Sequence, residues 1–132
     1  MAKLHVVALG GRLAGWAREA RDDYLRRMPR GYEVVCAPKA PKGARIVALD
    51  ERGRSLSSFE FSKAIQNLMR DKPAIAFVIG GADGLDDEIK ARAALVLRLS
   101  ALTLPHALAE VVLCEQLYRA ATLLTGHPYH RS

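Results

Sequence analysis

Six consecutive apolar residues, Ala74-Ile75-Ala76-Phe77-Val78-Ile79, constrain the fold more than any other stretch of the chain. A strand with no polar face has to be covered on both sides, which is the condition of a strand inside a parallel sheet. Leu4 to Leu9, Tyr32 to Ala37 and Arg45 to Leu49 read as further strands, and a short one is predicted near Val96 to Leu99. Helical patterns separate them. Leu13, Trp16, Ala17, Ala20, Tyr24 and Met28 recur at helical spacing, with Arg18, Arg21, Asp22, Arg26 and Arg27 on the opposite face. Ser57-Ser58-Phe59-Glu60 is a capping box, opening a helix that runs to about Arg70. This alternation predicts an α/β fold, a mostly parallel sheet flanked by helices. With 132 residues and neither repeat nor linker, one domain over 1–132 is expected.

The second half carries the unusual stretches. Ile79-Gly80-Gly81-Ala82-Asp83-Gly84 turns from a strand into a helix whose first turn holds Asp86, Asp87 and Glu88, suited to the positive end of its dipole. Leu99-Ser100-Ala101-Leu102-Thr103-Leu104-Pro105-His106 has no full charge, breaks strand alternation and ends ladder pairing at Pro105. It reads as backbone laid against something buried that still offers polar atoms. A last helix is predicted from Ala107 to Leu124. It is apolar on nearly every side, which calls for a second partner, most simply another copy of the chain.

A net charge of +6 and a pI near 9.7 favour a polyanionic partner such as nucleic acid. Aromatic residues make up only 6%, too few for a platform that stacks single-stranded bases. Cys36 and Cys114 each sit among apolar neighbours and read as small core residues. No metal-ligand spacing is present, so no metal is expected, and a reducing cytoplasm fits. Glu110, Glu115 and Arg119 interrupt the apolar stretch near the C-terminus and argue against a membrane span.

In open parallel sheets ligands bind outside the carboxyl ends of the strands. Three loops qualify: Leu49 to Arg54, read as a turn carrying the carboxylate of Asp50; Ile79 to Gly84, with close backbone approach at Gly80 and Gly81; and Leu99 to His106, with two hydroxyls and apolar leucines. The mix suits a neutral flat heterocycle better than a phosphate, and no phosphate-loop signature accompanies it. Gly80-Gly81 serves loop conformation as readily as a ligand, and His106 serves capping or packing as readily as chemistry. The tail His127-Pro128-Tyr129-His130-Arg131 is able to stack, donate and hold a phosphate.

Four ordered motifs, Ile79 to Gly84, Leu99 to His106, Glu115-Gln116-Leu117-Tyr118-Arg119-Ala120 and His127 to Arg131, together resemble the RlmH-type methyltransferases of the SPOUT superfamily. Tyr24-Leu25-Arg26-Arg27 and Leu49-Asp50-Glu51-Arg52-Gly53 look like that family too, so the resemblance covers essentially the whole chain. It implies a C-terminal deep trefoil knot and a bent S-adenosylmethionine lined by Leu49, Gly81, Ser100, Ala101, Leu102, Thr103, Leu104 and Pro105. The implied reaction is methylation of N3 of a pseudouridine in the helix 69 loop of 23S rRNA in the ribosome. Tyr129, His130 and Arg131 would hold the base and assist loss of the N3 proton, with Arg12, Arg18, Lys39 and Lys42 as phosphate contacts. Two other functions share the fold: a non-catalytic ribosome- or RNA-binding module, and a methyltransferase acting on tRNA. Family members usually carry a longer helical segment between the second and third strands. Here only Lys39 to Ala44 bridges them, so the chain resembles a shortened member.

Overall fold

The structure, a computed structural model, describes residues 3–71, 74–81 and 83–131; of His130 and Arg131 it describes the backbone alone. Among these residues a five-stranded parallel sheet forms in the order β2-β1-β4-β3-β5. The strands are β1 (Lys3–Ala8), β2 (Val34–Ala37), β3 (Arg45–Ser55), β4 (Ala74–Ile79) and β5 (Leu95–Arg98). Every residue of β4 is buried, as its unbroken apolar run requires. β1 and β3 flank it in register, Val7 and Ala48 both facing Val78.

The helices are α1 (Gly15–Arg26), α2 (Ser58–Leu68), α3 (Asp87–Arg92) and α4 (His106–Thr125), followed by a 3-10 turn at Pro128–Arg131. One face of the sheet buries Leu4, Val6, Val47, Ile75 and Phe77 against Phe61 and Ile65 of α2 and Leu113 and Leu117 of α4. The other face buries Val7, Ala48, Ala76 and Val78 against Leu85, with Ile89 of α3 beside them. Each large side chain so buried contributes about 1.5–3 kcal/mol. The capping box forms as expected: the Ser57 hydroxyl accepts from Glu60 N at 3.0 Å, and Ser57 N donates to Glu60 Oε1 at 2.8 Å.

The connection from β2 to β3 is the least ordinary part of the fold. It has seven residues, 38–44, and crosses the positions of β1 and β4 on the second face. Three strand spacings and the register offset separate Ala37 from Arg45 by about 17 Å. A seven-residue helix would span only about 10 Å, so the segment is not helical throughout. It ends instead in a turn in which Ala44 N donates to Pro41 O at 3.1 Å with Gly43 at a φ of +81°, and Ala40 and Ala44 pack onto the second core.

Four sequence expectations change. Asp50 to Arg54 is not a turn: β3 continues to Ser55, bulging between Leu49 and Arg54 and pairing again with β5 through Arg54–Leu97 and Ser55–Arg98. Cys36 is exposed, because β2 is an edge strand, whereas Cys114 is buried. Trp16 is 59% exposed, because α1 begins only at Gly15 and leaves the indole in an uncovered first turn. The breadth of apolar surface on α4 is largely taken up within the chain, where α1 and α2 pack on either flank, with Leu108 left at 36% exposure.

Candidate active site

The carboxyl edge of the sheet holds a cavity of about 700 Å³, within the usual range for small-molecule sites. Its walls come from the three expected segments: Leu49 to Arg52 on β3, residues 79–81 and 83–85 at the end of β4 and after it, and residues 97–100 and 102–106 at the end of β5 and after it. Leu49, Gly81, Ser100, Leu102, Thr103, Leu104 and Pro105 all line it; Ala101 does not.

The loops are held by backbone fit. A Cβ on Gly80 would lie 2.5 Å from the carbonyl carbon of Gly84, so the turn after β4 closes only with glycine there. This favours the conformational reading of Gly80 over a ligand role. On the opposite wall, a Cβ on Gly53 would lie 2.7 Å from the Leu97 backbone, which is why the bulged end of β3 can lie so close on β5.

The wall of β3 is fixed electrostatically. Asp50 Oδ1 accepts from Arg52 N at 2.7 Å, and its other oxygen meets Lys90 Nζ of α3 at 3.2 Å. The backbone hydrogen bond, aided by Lys90, holds the Asp50 carboxyl below the ordinary range, and Asp50 raises the Lys90 ammonium in return. Across the cavity the run Ser100 to Leu104 makes no backbone–backbone hydrogen bond among the described residues. Its one local bond is Leu102 N to Ser100 Oγ at 2.9 Å. Its other amides and carbonyls are available to a bound molecule. Irregular backbone with available donors and acceptors, apolar leucines and a glycine-walled floor fit a flat heterocycle bearing polar groups, and so fit the S-adenosylmethionine that the resemblance implies.

The tail lies elsewhere. Tyr129 donates its hydroxyl to Glu115 Oε2 at 3.0 Å, stacks edge-on to Tyr118 at 4.6 Å and lies under the Arg119 guanidinium at 5.1 Å. Glu115 also accepts twice from Arg119, at 2.8 and 3.0 Å. Arg27, just past the end of α1, closes the cluster over Tyr24 and Tyr118. Burial first, and the Glu115 carboxylate next, push the Tyr129 phenol up to about 12. Tyr129 is therefore protonated at neutral pH and acts as a donor rather than a base. Glu115 stands about 13 Å along α4 from His106, and Tyr129 is not among the cavity walls of its own chain. The side chains of His130 and Arg131 lie outside the described residues.

Sequence reasoning passed over Lys90, the Glu115–Arg119 clamp and the loop Gly10 to Leu13, which forms a small cleft with His106 and Glu110 beside the main cavity. The Glu115–Arg119 spacing was a legible signal of an i,i+4 ion pair. Arg12, Arg18, Lys39 and Lys42 are exposed and make no ion pair among the described residues. No group of three or more potential metal ligands is found among the described residues, and no helix there is long and apolar enough to cross a membrane.

A parallel sheet with an irregular, uncharged loop closing a cavity at its carboxyl edge is the frame of a known class of group-transfer enzymes. The family described as predicted SPOUT methyltransferase matches residues 33–130, and the chain belongs to it. Ribosomal RNA large subunit methyltransferase H of Burkholderia vietnamiensis is 44% identical, over 98% of this chain and 99% of the relative; that of Burkholderia multivorans is likewise 44% identical. These alignments run to 155 positions against 132 residues here, so the relatives carry residues this chain lacks. Two solved structures share the fold. A probable methylase family protein from Haemophilus influenzae has a TM-score of 0.63 at 14% identity, covering 96% of this chain and 69% of that one. A probable methyltransferase from Bordetella pertussis has a TM-score of 0.62 at 15% identity, covering 91% and 96%.

Proposed function

We propose that this protein is a cytoplasmic enzyme that methylates large-subunit ribosomal RNA, with S-adenosylmethionine as donor and N3 of a pseudouridine in the helix 69 loop as acceptor. The observation that carries the reading is the cavity with its irregular wall Ser100 to Leu104, in a chain 44% identical over nearly its whole length to ribosomal RNA large subunit methyltransferases H. Leu49, Gly81 and Ser100 to Pro105 would hold the donor, including Ala101 through its backbone. When bound, the donor supplies an electrophilic methyl group on a sulfonium. The chain's own part is to position the base, exclude water and take up a proton.

One copy presents half of this arrangement. Its cavity has no described tail residue on its walls, and its tail is anchored two turns away along α4. A homodimer in which the Tyr129-His130-Arg131 tail of each copy reaches the other's cavity would complete both sites. Surface chemistry supports it. Of the six large hydrophobic residues exposed among the described residues, five (Leu9, Trp16, Phe59, Leu102 and Leu108) stand at the carboxyl edge or in the first turn of a helix that follows a strand's carboxyl end. The knot is part of the same reading, with the chain around Leu99 to His106 threaded against the loop after β4. Exposed Arg12, Arg18, Lys39 and Lys42 would meet phosphates of the ribosome.

Tritiated methyl transfer from S-adenosylmethionine to ribosomes lacking the modification tests the reading, with free tRNA as comparison. Incorporation into 23S rRNA is expected. Label in tRNA alone would reassign the substrate, and binding to ribosomes without incorporation would make the protein a binding module.

A further inference from the structure

We infer that His106 is the group that accepts the N3 proton during methyl transfer, acting from the cavity of the copy that holds the donor. This rests on the proposed reaction. The side chain stands at the first position of α4 and borders both the main cavity and the small cleft formed with Gly10 to Leu13. Its ring lies beside Gly10, where an added Cβ would meet Cδ2 at 3.4 Å and Nε2 at 3.7 Å in ordinary contact, the tighter approach being to Gly81 Cα at 3.2 Å, so the imidazole stands next to the loop after β4. The ring is exposed and has no hydrogen-bond partner among the described residues.

The other imidazoles in the described residues are elsewhere. His5 is buried in β1, and His127 is tied to Tyr129 N at 3.2 Å past the end of α4. Of the cavity's carboxylates, Asp50 is committed to Arg52 N and Lys90, and Asp87 to Lys90. Glu51 and Asp83 are left, and a carboxylate is a weaker proton acceptor than an imidazole. The Tyr129 phenol keeps its own proton. An imidazole is the side chain that most readily takes and releases a proton near neutral pH. The charged groups sharing its cavity are Asp50, Glu51 and Arg52 of β3, Asp83 from the loop after β4, Asp87 and Lys90 of α3 and Arg98 of β5, with Arg12 from the loop after β1 in the small cleft. Glu110, one turn on in α4, is held by Arg21.

In this step the N3–H bond breaks and its electron pair forms the new N–CH3 bond. The sulfur keeps the electrons of the bond it loses, becoming a neutral thioether, and the proton moves to the unprotonated ring nitrogen of His106.

His106→Gln and His106→Ala test this, by single-turnover transfer to ribosomes lacking the modification and by calorimetry with S-adenosylmethionine. The expected result is a loss of about 100-fold or more in rate, with donor affinity unchanged. The low-pH limb of the rate profile should disappear with the imidazole. In nitrogen NMR of the wild type, the His106 ring signals should change on addition of those ribosomes without donor. Wild-type rates from His106→Gln, or ring signals indifferent to the ribosomes, would overturn the inference. So would loss of the low-pH limb in His130→Gln but not in His106→Gln, since the proton would then go to the tail. Failure of the wild type to bind S-adenosylmethionine would instead remove the reading beneath it, and the inference with it.

Discussion

The Tyr129 hydroxyl donates to Glu115, and burial together with that carboxylate pushes its pKa up to about 12. A phenol raised in the folded state stabilises the fold fully below its ordinary value near 10, and that contribution is lost as the pH climbs from 10 through about 12. Glu115→Gln should lower the midpoint of the Tyr129 titration without returning it to 10, because burial, the larger cause, stays in place. Ring-carbon NMR through an alkaline titration measures this, and an unmoved midpoint would show that the carboxylate plays no part. The Glu115–Arg119 pair is legible in the sequence from its spacing alone. That Tyr129 folds back onto the pair is not, because a tail after Gly126 carries no periodicity from which a partner can be read. The same limit applies to Ala101. The uncharged run marks the cavity wall, but which of its residues face inward is decided by an irregular backbone with no period.

Between elements, α1 and α4 are tied by Arg21 Nη1 and Glu110 Oε2 at 2.8 Å, with the Glu110 side chain only 5% exposed. Glu110→Ala removes the buried partner but leaves Arg21 its bond to Asp22 at 2.9 Å, so it should cost about 1.5–3 kcal/mol. Replacing both, as in Arg21→Met with Glu110→Leu, should cost far less. Urea unfolding of the two variants decides the matter, and equal losses would show that the ion pair is not what couples these helices. Helix and strand existence were readable because hydrophobic period and capping chemistry are local: β4 and the Ser57 cap appear where the sequence puts them. The continuation of β3 through Asp50 to Ser55 was hidden, because its residues are polar and its pairing depends on Gly53 admitting the distant β5 backbone. Trp16 misled for a related reason. Spacing gives the face of a helix but not where along its length the cover ends.

For the whole molecule, a cavity and a tail that do not meet in one copy predict complementation. Leu104→Arg should block the cavity, and Tyr129→Ala should disable the tail, each leaving an inactive homodimer. Mixed in equal amounts and allowed to exchange, they should recover about a quarter of wild-type activity, because half the dimers are mixed and each of these has one intact site. A mixture as inactive as its components would place the tail's work within its own copy. The overall frame was legible, since buried parallel strands and their carboxyl-edge loops follow from pattern; the distance between cavity and tail follows from three-dimensional packing and was not. The short crossing from Ala37 to Arg45 bears on the molecule's history as well as its shape. Inserting residues there costs little, about 0.6 kcal/mol for each doubling of the loop. Deletion soon leaves too little contour to pass over β1 and β4. Length can therefore be gained at this point far more readily than lost.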